Sequence, residues 1–333
     1  MKPGEKPGAA IARSADLAQQ VERAGYKRFW LAEHHGIEGL ACSATAVLIG
    51  HIAGATKTIR VGSGGVMLPN HAPLVVAEQF GTLEAMYPGR IDLGLGRAPG
   101  GDFSTMSALR RGLGQSGEVF PELLAELRGY LGPERPGQAV RATPGQNSNV
   151  PIYLLGSSGF SAELAARLGL PFAFAAHFAP DGLLSASDIY HQHFQPSTVL
   201  REPYMMVAAQ VIAAETDAAV HRLFTTAQQR ALRLIRNQAV ELLEPVDSMD
   251  GLWADWECAA VESKLGAAIV GSEAAVQDGL ERLVQSTGAR EVIVVTDLFE
   301  HADRLESYNR VAEIAARVKV PGFAREPAGQ QAR

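Results

Sequence analysis

The chain has 333 residues, of which 47% are hydrophobic and 20% are charged, and its net charge is −6. These values are typical of a globular protein with a sizeable core, and an acidic chain without a dense Lys/Arg stripe is not expected to bind nucleic acid. The two cysteines lie in unrelated contexts and form neither a disulfide framework nor a CxxC metal motif. The start lacks the apolar core of a signal peptide and no later stretch reaches membrane-spanning length, so we expect a cytoplasmic protein.

Helical and strand-like patterns alternate along the chain from its first helix onward. The predicted strands, in chain order, are 28–32, 59–68, 90–95, 152–155, 171–175, 204–213 and 291–296. The main predicted helices are 15–24, 45–55, 73–86, 186–194, 217–238, 273–285 and 301–318. Strands that alternate with helices of ten or more residues predict βαβ units and parallel pairing.

Seven apolar strands predict an α/β fold, either a (β/α)₈ TIM barrel or a doubly wound sheet. A barrel needs eight strands, and the missing one would be the first, because the sequence opens almost directly with a helix. No GxGxxG motif follows a first strand, which makes the doubly wound sheet the second choice. We expect a single domain over residues 1–320 and a frayed tail over 321–333.

Polar residues follow the carboxyl ends of several predicted strands, where parallel α/β folds bind their ligands. Glu33-His34-His35 is the first such group. Adjacent residues on an extended chain point to opposite sides, so we expect these three not to chelate a metal ion. A histidine at this position is either an acid or base, or a buried and hydrogen-bonded side chain. His71, in the loop LPNHAP, could face this site or water.

A second group of strand ends suggests an anion pocket. Residues 156–161 (GSSGFS) lie between a strand and a helix, where free amides and hydroxyls suit a phosphate, although serine is also a common helix cap. Arg97 ends the preceding strand and could bind a phosphate bidentately or pair with Asp102. Gly64-Gly65 interrupts an apolar strand, which indicates a barrel bend, a bulge or the close approach of a ligand.

Taken together, these stretches resemble the bacterial luciferase-like monooxygenase family, a group of flavin-dependent (β/α)₈ barrels. The matching segments are WLAEHHG, IRVGSGGVMLPNHAPLVVAEQFGTLEAMYPGRIDLGLGRAPGGD, LLGSSGFSAELAARLGLPFAFAAHFAP and AAIVGSEAAVQDGLERL. The resemblance covers about residues 14–318 and is strongest to the single-chain bacterial oxidoreductases of unassigned substrate. The family's first strand, an apolar run before the first helix, has no counterpart in the sequence.

The resemblance implies a role for each of these residues. His34 matches the family's catalytic histidine, and Arg97 matches the arginine that binds the FMN phosphate. Ser158 and Ser161 match the hydroxyl residues of the phosphate loop, to which Ser157 contributes its backbone. These residues would therefore form one flavin site.

The resemblance also implies an activity. FMN, reduced by a separate reductase, and O₂ would oxygenate a small organic substrate, and the protein would be a homodimer. Gly64-Gly65 falls where the family has a non-prolyl cis peptide beside the isoalloxazine ring. The acidic segment 238–271 is either a mobile lid or a surface excursion with helical pieces. Two other functions stay open: a deazaflavin-dependent hydride-transfer enzyme on the same barrel, and a non-catalytic flavin-binding partner subunit.

Overall fold

Eight strands alternate with helices in the computed structural model, which describes residues 1–98, 103–109 and 117–318. The strands are β1 (Arg28–Leu31), β2 (Arg60–Met67), β3 (Ile91–Gly96), β4 (Ile152–Gly156), β5 (Phe172–Ala175), β6 (Met205–Ala213), β7 (Ile269–Gly271) and β8 (Glu291–Val295). The helices are α1 (Pro7–Arg23), α2 (Thr45–Ala55), α3 (Pro73–Met86), α4 (Phe103–Leu109), α5 (Phe120–Leu131), α6 (Gly159–Leu168), α7 (Leu183–His193), α8 (Asp217–Ile235), α9 (Asp255–Lys264), α10 (Glu273–Thr287) and α11 (His301–Ala315). The predicted tail, 321–333, lies outside the described residues.

The strands form one curled parallel sheet. Strands β1 to β6 pair in chain order, and β6 also pairs with β8 along Met206–Gln210 and with β7 along Val211–Ala213. Because the pairing is parallel throughout, the carboxyl ends of the strands lie along one rim of the sheet. The predicted α/β fold with parallel strands is confirmed. The strand that the sequence did not predict is β7, whose three residues are too few for a periodic pattern to show.

Local sequence signals account for the ends of the first helices. α2 and α3 have the predicted bounds, and α3 begins with a proline, which suits the first helical position. α1 begins at Pro7 rather than at Ala15, because a second proline occupies that same favoured position. It ends just before Gly25, which has a φ of +85° that glycine adopts without strain.

Apolar side chains fill both faces of the sheet. The larger cluster lies between the sheet and the surrounding helices. A smaller cluster lies inside the curl, where Trp30 and Tyr153 meet edge to face at 5.0 Å between ring centres. Its other members are Leu155, Ala173, Tyr204, Met206 and Ile293. Among the helices of the described ranges, none is both long and apolar enough to cross a membrane.

Arg28, the first residue of β1, joins the two ends of the curled sheet. Its guanidinium donates to Asp92 on β3 and to Glu291, the first residue of β8, at 2.8 Å in each case. Asp92 is fully buried and also accepts hydrogen bonds from Arg60 at 2.6 Å and from the Trp30 indole at 3.1 Å. Burial alone would lower the pKa of Arg28, but the two carboxylates outweigh it and raise the pKa above its ordinary value. In the described ranges β1 and β8 share no backbone pairing, so side chains connect them.

The segment 238–271 runs along α8 and contains α9 and β7. The hydroxyl of Thr226 donates to the Leu243 carbonyl at 2.9 Å, and the Val246 amide donates to the hydroxyl of Thr225 at 2.9 Å. The segment therefore has helical pieces and contacts α8, which agrees with either of the two alternatives. Its mobility stays a prediction.

Replacing Arg28 with leucine tests the bridge between the ends of the sheet. We expect Arg28→Leu to lower the free energy of unfolding by about 3–5 kcal/mol, because Asp92 and Glu291 would each lose a partner in a buried place. Urea unfolding measures this loss. The control is Arg317→Leu, which breaks an exposed pair with Glu273 and should cost at most about 1 kcal/mol. Equal losses in the two variants would contradict the bridge.

Candidate active site

The turn between β4 and α6 presents two serine hydroxyls at the carboxyl rim. Ser157 and Ser158 are exposed, and Ser158 precedes the first turn of α6 in an extended conformation. Among the described residues, the Ser158 hydroxyl makes no capping hydrogen bond to α6, and the first turn of this helix carries no acidic side chain. The amides and the partial positive charge at this helix start are therefore uncompensated by side chains of the helix itself, which favours an external anion.

Arg97 reaches the same turn from the end of β3. Its guanidinium carbon lies 4.2 Å from the centre of the Phe160 ring, and Phe160 is the second residue of α6. A cation–π contact of this kind holds the guanidinium close to the ring face. The structure thus brings Arg97 and the serine turn together. Asp102, the alternative partner considered for Arg97, lies outside the described residues.

Ser161 lies beneath this turn rather than on its surface. Its side chain is buried, and a Cβ atom added to Gly156 would lie 2.6 Å from the Ser161 hydroxyl oxygen. Glycine at position 156 therefore allows the serine to pack directly under the strand end. Ser157 and Ser158 face outward and Ser161 faces inward, so the three hydroxyls do not lie on one surface.

The Gly64–Gly65 peptide bond in β2 is cis, as the resemblance predicted. The register between β2 and β3 shifts between Ser63 and Val66, as in a bulge, which was one of the three alternatives for this glycine pair. A Cβ atom on Gly65 would lie 2.8 Å from the Gly94 carbonyl oxygen, and one on Gly64 would lie 3.2 Å from the Cβ of Trp30. Packing against the Gly94 backbone therefore requires glycine at position 65, whereas a side chain at position 64 would need only a small shift of Trp30.

His34 follows β1 and lies near a second histidine. Its ring meets Phe178 edge to face, with 6.4 Å between the ring centres, and His177 stacks against the same phenylalanine at 4.1 Å. Phe178 is 50% exposed, so two imidazoles flank an apolar ring that faces the rim. Burial lowers the pKa of His177 below its ordinary value, which leaves this imidazole neutral at pH 7.

The loop after β5 lies between the surroundings of His34 and the serine turn. Phe178 in this loop contacts His34, as described above. A Cβ atom built on Gly182, four residues further, would lie 3.5 Å from the Ser157 carbonyl oxygen. The loop therefore touches both the surroundings of His34 and the serine turn.

Glu33 holds two histidines at the tip of β1. Its side chain is 2% exposed, and its Oε1 lies 2.9 Å from Nε2 of His35 and 2.7 Å from Nε2 of His71. Burial alone would raise the pKa of Glu33, but the hydrogen bonds from His71 and His35 outweigh it and bring the pKa below its ordinary value. Glu33 is therefore ionised, and His71, whose direction the sequence left open, faces Glu33.

Sequence reasoning missed Arg230 and Phe178. Arg230 reaches from α8 to form an ion pair with Asp297, which follows β8. Arg230 lies within a helix, where neither a strand end nor a motif marks it. Phe178 directly follows His177. Its place just after the predicted strand 171–175 was the sequence signal that could have identified it.

The family follows from comparison with known proteins. The family model described as luciferase-like monooxygenase matches residues 2–291, so the chain belongs to the luciferase-like monooxygenase family of oxidoreductases. A luciferase-like monooxygenase of Escherichia coli (strain K12) is 47% identical over 311 residues, which are 93% of each chain. The N-acetyl-S-alkylcysteine monooxygenase of Bacillus subtilis (strain 168) is 32% identical over 325 residues, 95% of this chain and 96% of that one.

Several solved structures are similar to this chain over nearly its whole length. The crystal structure of apo-MsnO8 has a TM-score of 0.84 and 37% identity, covering 96% of both chains. The oxygenating constituent of 3,6-diketocamphane monooxygenase of Pseudomonas putida, in complex with FMN, has a TM-score of 0.72 and 20% identity over 96% and 97% of the two chains. The coenzyme F420 dependent tetrahydromethanopterin reductase of Methanopyrus kandleri has a TM-score of 0.66 and 19% identity over 96% and 98%. The last two show a shared fold.

Proposed function

We propose that the protein is a flavin-dependent monooxygenase that uses reduced FMN and O₂ to oxygenate a small organic substrate, with the FMN reduced by a separate reductase. The observation that carries this proposal is the contact of the Arg97 guanidinium with Phe160, which places Arg97 at the serine turn where α6 begins. A guanidinium beside uncapped helix amides and exposed hydroxyls suits a dianionic phosphate. The family and its FMN-bound structural neighbour support FMN as the group that carries this phosphate.

Each residue of this site has a part in binding. Arg97 would bind the phosphate through its two-pronged guanidinium, and Ser158 would donate its hydroxyl to a phosphate oxygen. Ser157 would contribute its backbone. Ser161 is buried beneath the turn, so we assign it to the support of the turn and to a hydrogen bond from below.

The ring of the flavin would lie between the phosphate site and His34. Bound and reduced, FMN supplies the electrons that activate O₂ for transfer of one oxygen atom to the substrate. The cis peptide of Gly64–Gly65 would border the ring, and His34 would donate a hydrogen bond from its imidazole to the reacting edge. Phe178, beside His34, would exclude water and offer an apolar surface to the substrate.

We also propose that the sheet is a (β/α)₈ barrel in which β1–β6 and β8 are seven of the eight strands of the family's barrel, with the short β7 as an addition at the end of β6. All residues of β1 and of β8 are half-buried, whereas the residues of β3 and β6 are buried throughout. Half-burial along the whole length is expected where a neighbouring strand is lacking. The place of the family's first strand would thus be between β8 and β1, where Arg28 and Glu291 now meet. The single domain over residues 1–320 is part of the same proposal.

A homodimer is the assembly that the surface favours. The eleven residues of α2 include no Asp, Glu, Lys or Arg, and Val47 on this helix is 73% exposed. On the neighbouring α3, Val75 and Met86 are 44% and 58% exposed. Surface helices normally carry a polar outer face, so we propose that α2 and α3 pack against the same helices of a second copy.

Analytical ultracentrifugation tests the homodimer. We expect the wild-type protein to sediment at twice the chain mass and Val47→Asp to sediment as a monomer, because a carboxylate would be buried without a partner. Val199→Asp, at a residue that is 51% exposed and far along the chain from α2, is the control and should remain dimeric. A wild-type monomer at micromolar concentration would contradict the proposal.

Titration with FMN and with riboflavin tests the phosphate site. Arg97→Leu should weaken FMN binding by roughly 10- to 100-fold, as expected for the loss of a charged hydrogen bond of about 1.5–3 kcal/mol. Riboflavin, which lacks the phosphate, should bind wild type and variant equally. Quenching of flavin fluorescence measures both affinities.

The matched control is Arg167→Leu, at the other end of α6, where the arginine pairs with Glu163 on the surface. This variant should bind FMN as wild type does. Equal weakening of FMN and riboflavin by Arg97→Leu would remove Arg97 from the phosphate site. If coenzyme F420 saturates the protein and FMN does not, the cofactor is a deazaflavin and the monooxygenase proposal is wrong.

The rate of product formation with reduced FMN and O₂ tests the role of His34. Across a panel of thioethers, ketones and aldehydes, His34→Ala should form product about 10²- to 10³-fold more slowly than wild type, the usual effect of losing one stabilising hydrogen-bond donor. His221→Ala, at an exposed position on α8, is the control and should retain full turnover. Unchanged product formation in His34→Ala would remove His34 from the reaction.

A further inference from the structure

Three potential metal ligands converge at the carboxyl rim, apart from the proposed flavin contacts. They are Oε1 of Glu33, Nε2 of His35 and Nε2 of His71, and these atoms all lie within 4.8 Å of one another. Glu33 and His35 lie two residues apart in the loop after β1, whereas His71 arrives from the loop after β2. In the part of the chain that the structure describes, this is the one group of three such residues.

We propose that Glu33, His35 and His71 form a binding site for a divalent transition-metal ion such as Zn²⁺. Two imidazole nitrogens and one carboxylate oxygen are a ligand set that Zn²⁺ binds with a fourth position open to water. The sequence predicted no metal ion at Glu33, His34 and His35, and it left open whether His71 faces this site or water. The structure places His71 beside Glu33, whereas the ring of His34 contacts Phe178. The third ligand, His71, is more than thirty residues away from the first two in sequence. It lies close to them because β1 and β2 are neighbours in the parallel sheet.

The geometry is close to that of a bound site. A tetrahedral Zn²⁺ with ligands at about 2.0–2.1 Å holds its donor atoms roughly 3.4 Å apart. The two nitrogens now lie 2.9 Å and 2.7 Å from the carboxylate oxygen, so small rotations of the three side chains would admit the ion. Both hydrogen bonds would be replaced by bonds to the metal.

Electrostatics also favours a cation at this place. The Glu33 carboxyl group is buried, and its Oε1 faces the Nε2 atoms of His35 and His71. An ion would compensate the charge of this carboxylate directly. It would also tie the loop after β1, which carries His34, to the loop after β2, so that metal binding would stabilise the folded chain.

Isothermal titration with Zn²⁺ in phosphate-free buffer tests the proposal on the full chain. Wild type should bind one Zn²⁺ per chain in a saturable step. His71→Asn and His35→Asn should each weaken this step by about 100-fold or more, since even residues that only orient ligands contribute roughly 10- to 100-fold. Mg²⁺, which prefers oxygen ligands, should not compete.

Controls separate the site from adventitious binding and from misfolding. His193→Asn removes another histidine that pairs with a glutamate, Glu163, on the surface, and it should bind Zn²⁺ as wild type does. Without metal, His71→Asn should keep the circular dichroism of wild type, and Zn²⁺ should raise the Tm of wild type but not of this variant. Equal Zn²⁺ affinity in wild type, His35→Asn and His71→Asn, or no saturable step in wild type, would overturn the proposal and leave a hydrogen-bonded cluster.

Discussion

The parallel orientation of the strands is the constraint on which the site depends. It places every strand's carboxyl end on one rim, and residues far apart in sequence meet there because their strands are neighbours. Arg97 from β3 reaches the turn after β4 and stacks on Phe160. Glu33 after β1 receives a hydrogen bond from His71, which follows β2. Neither pair would form in a sheet with mixed strand directions.

The two rims use charge differently. At the amino rim, Arg28 lies between two carboxylates, so its charge is balanced and its role is to hold the ends of the sheet together. At the carboxyl rim, Arg97 has an aromatic partner and, within the described residues, no carboxylate beside it. A guanidinium that has no carboxylate partner among the described residues and lies next to an uncapped helix start suits an anionic ligand, whereas a paired guanidinium serves stability. We therefore propose two functions for arginine in this sheet, one in stability and one in binding.

Much of this could be predicted from sequence, and the remainder has identifiable causes. Apolar strands, helix lengths and prolines predicted α2, α3 and the parallel sheet, because these signals are local. The extra strand β7 was missed because three residues carry no period. Strand ends in the sequence indicated that Arg97 and the serine turn belong to one site, and Arg97 contacts Phe160 at that turn, whereas Arg230 was missed because it lies within a helix. That His71 could face the site was one of two alternatives from the sequence, and its contact with Glu33 could not be chosen because it depends on how two neighbouring loops pack.

A crystal structure of the protein soaked with FMN tests the central claim most directly. The account predicts that the phosphate lies within hydrogen-bond distance of both the Arg97 guanidinium and the Ser158 turn, with the ring extending along Gly64–Gly65 toward His34. A phosphate bound away from Arg97, or a ring on the far side of the rim from His34, would contradict it.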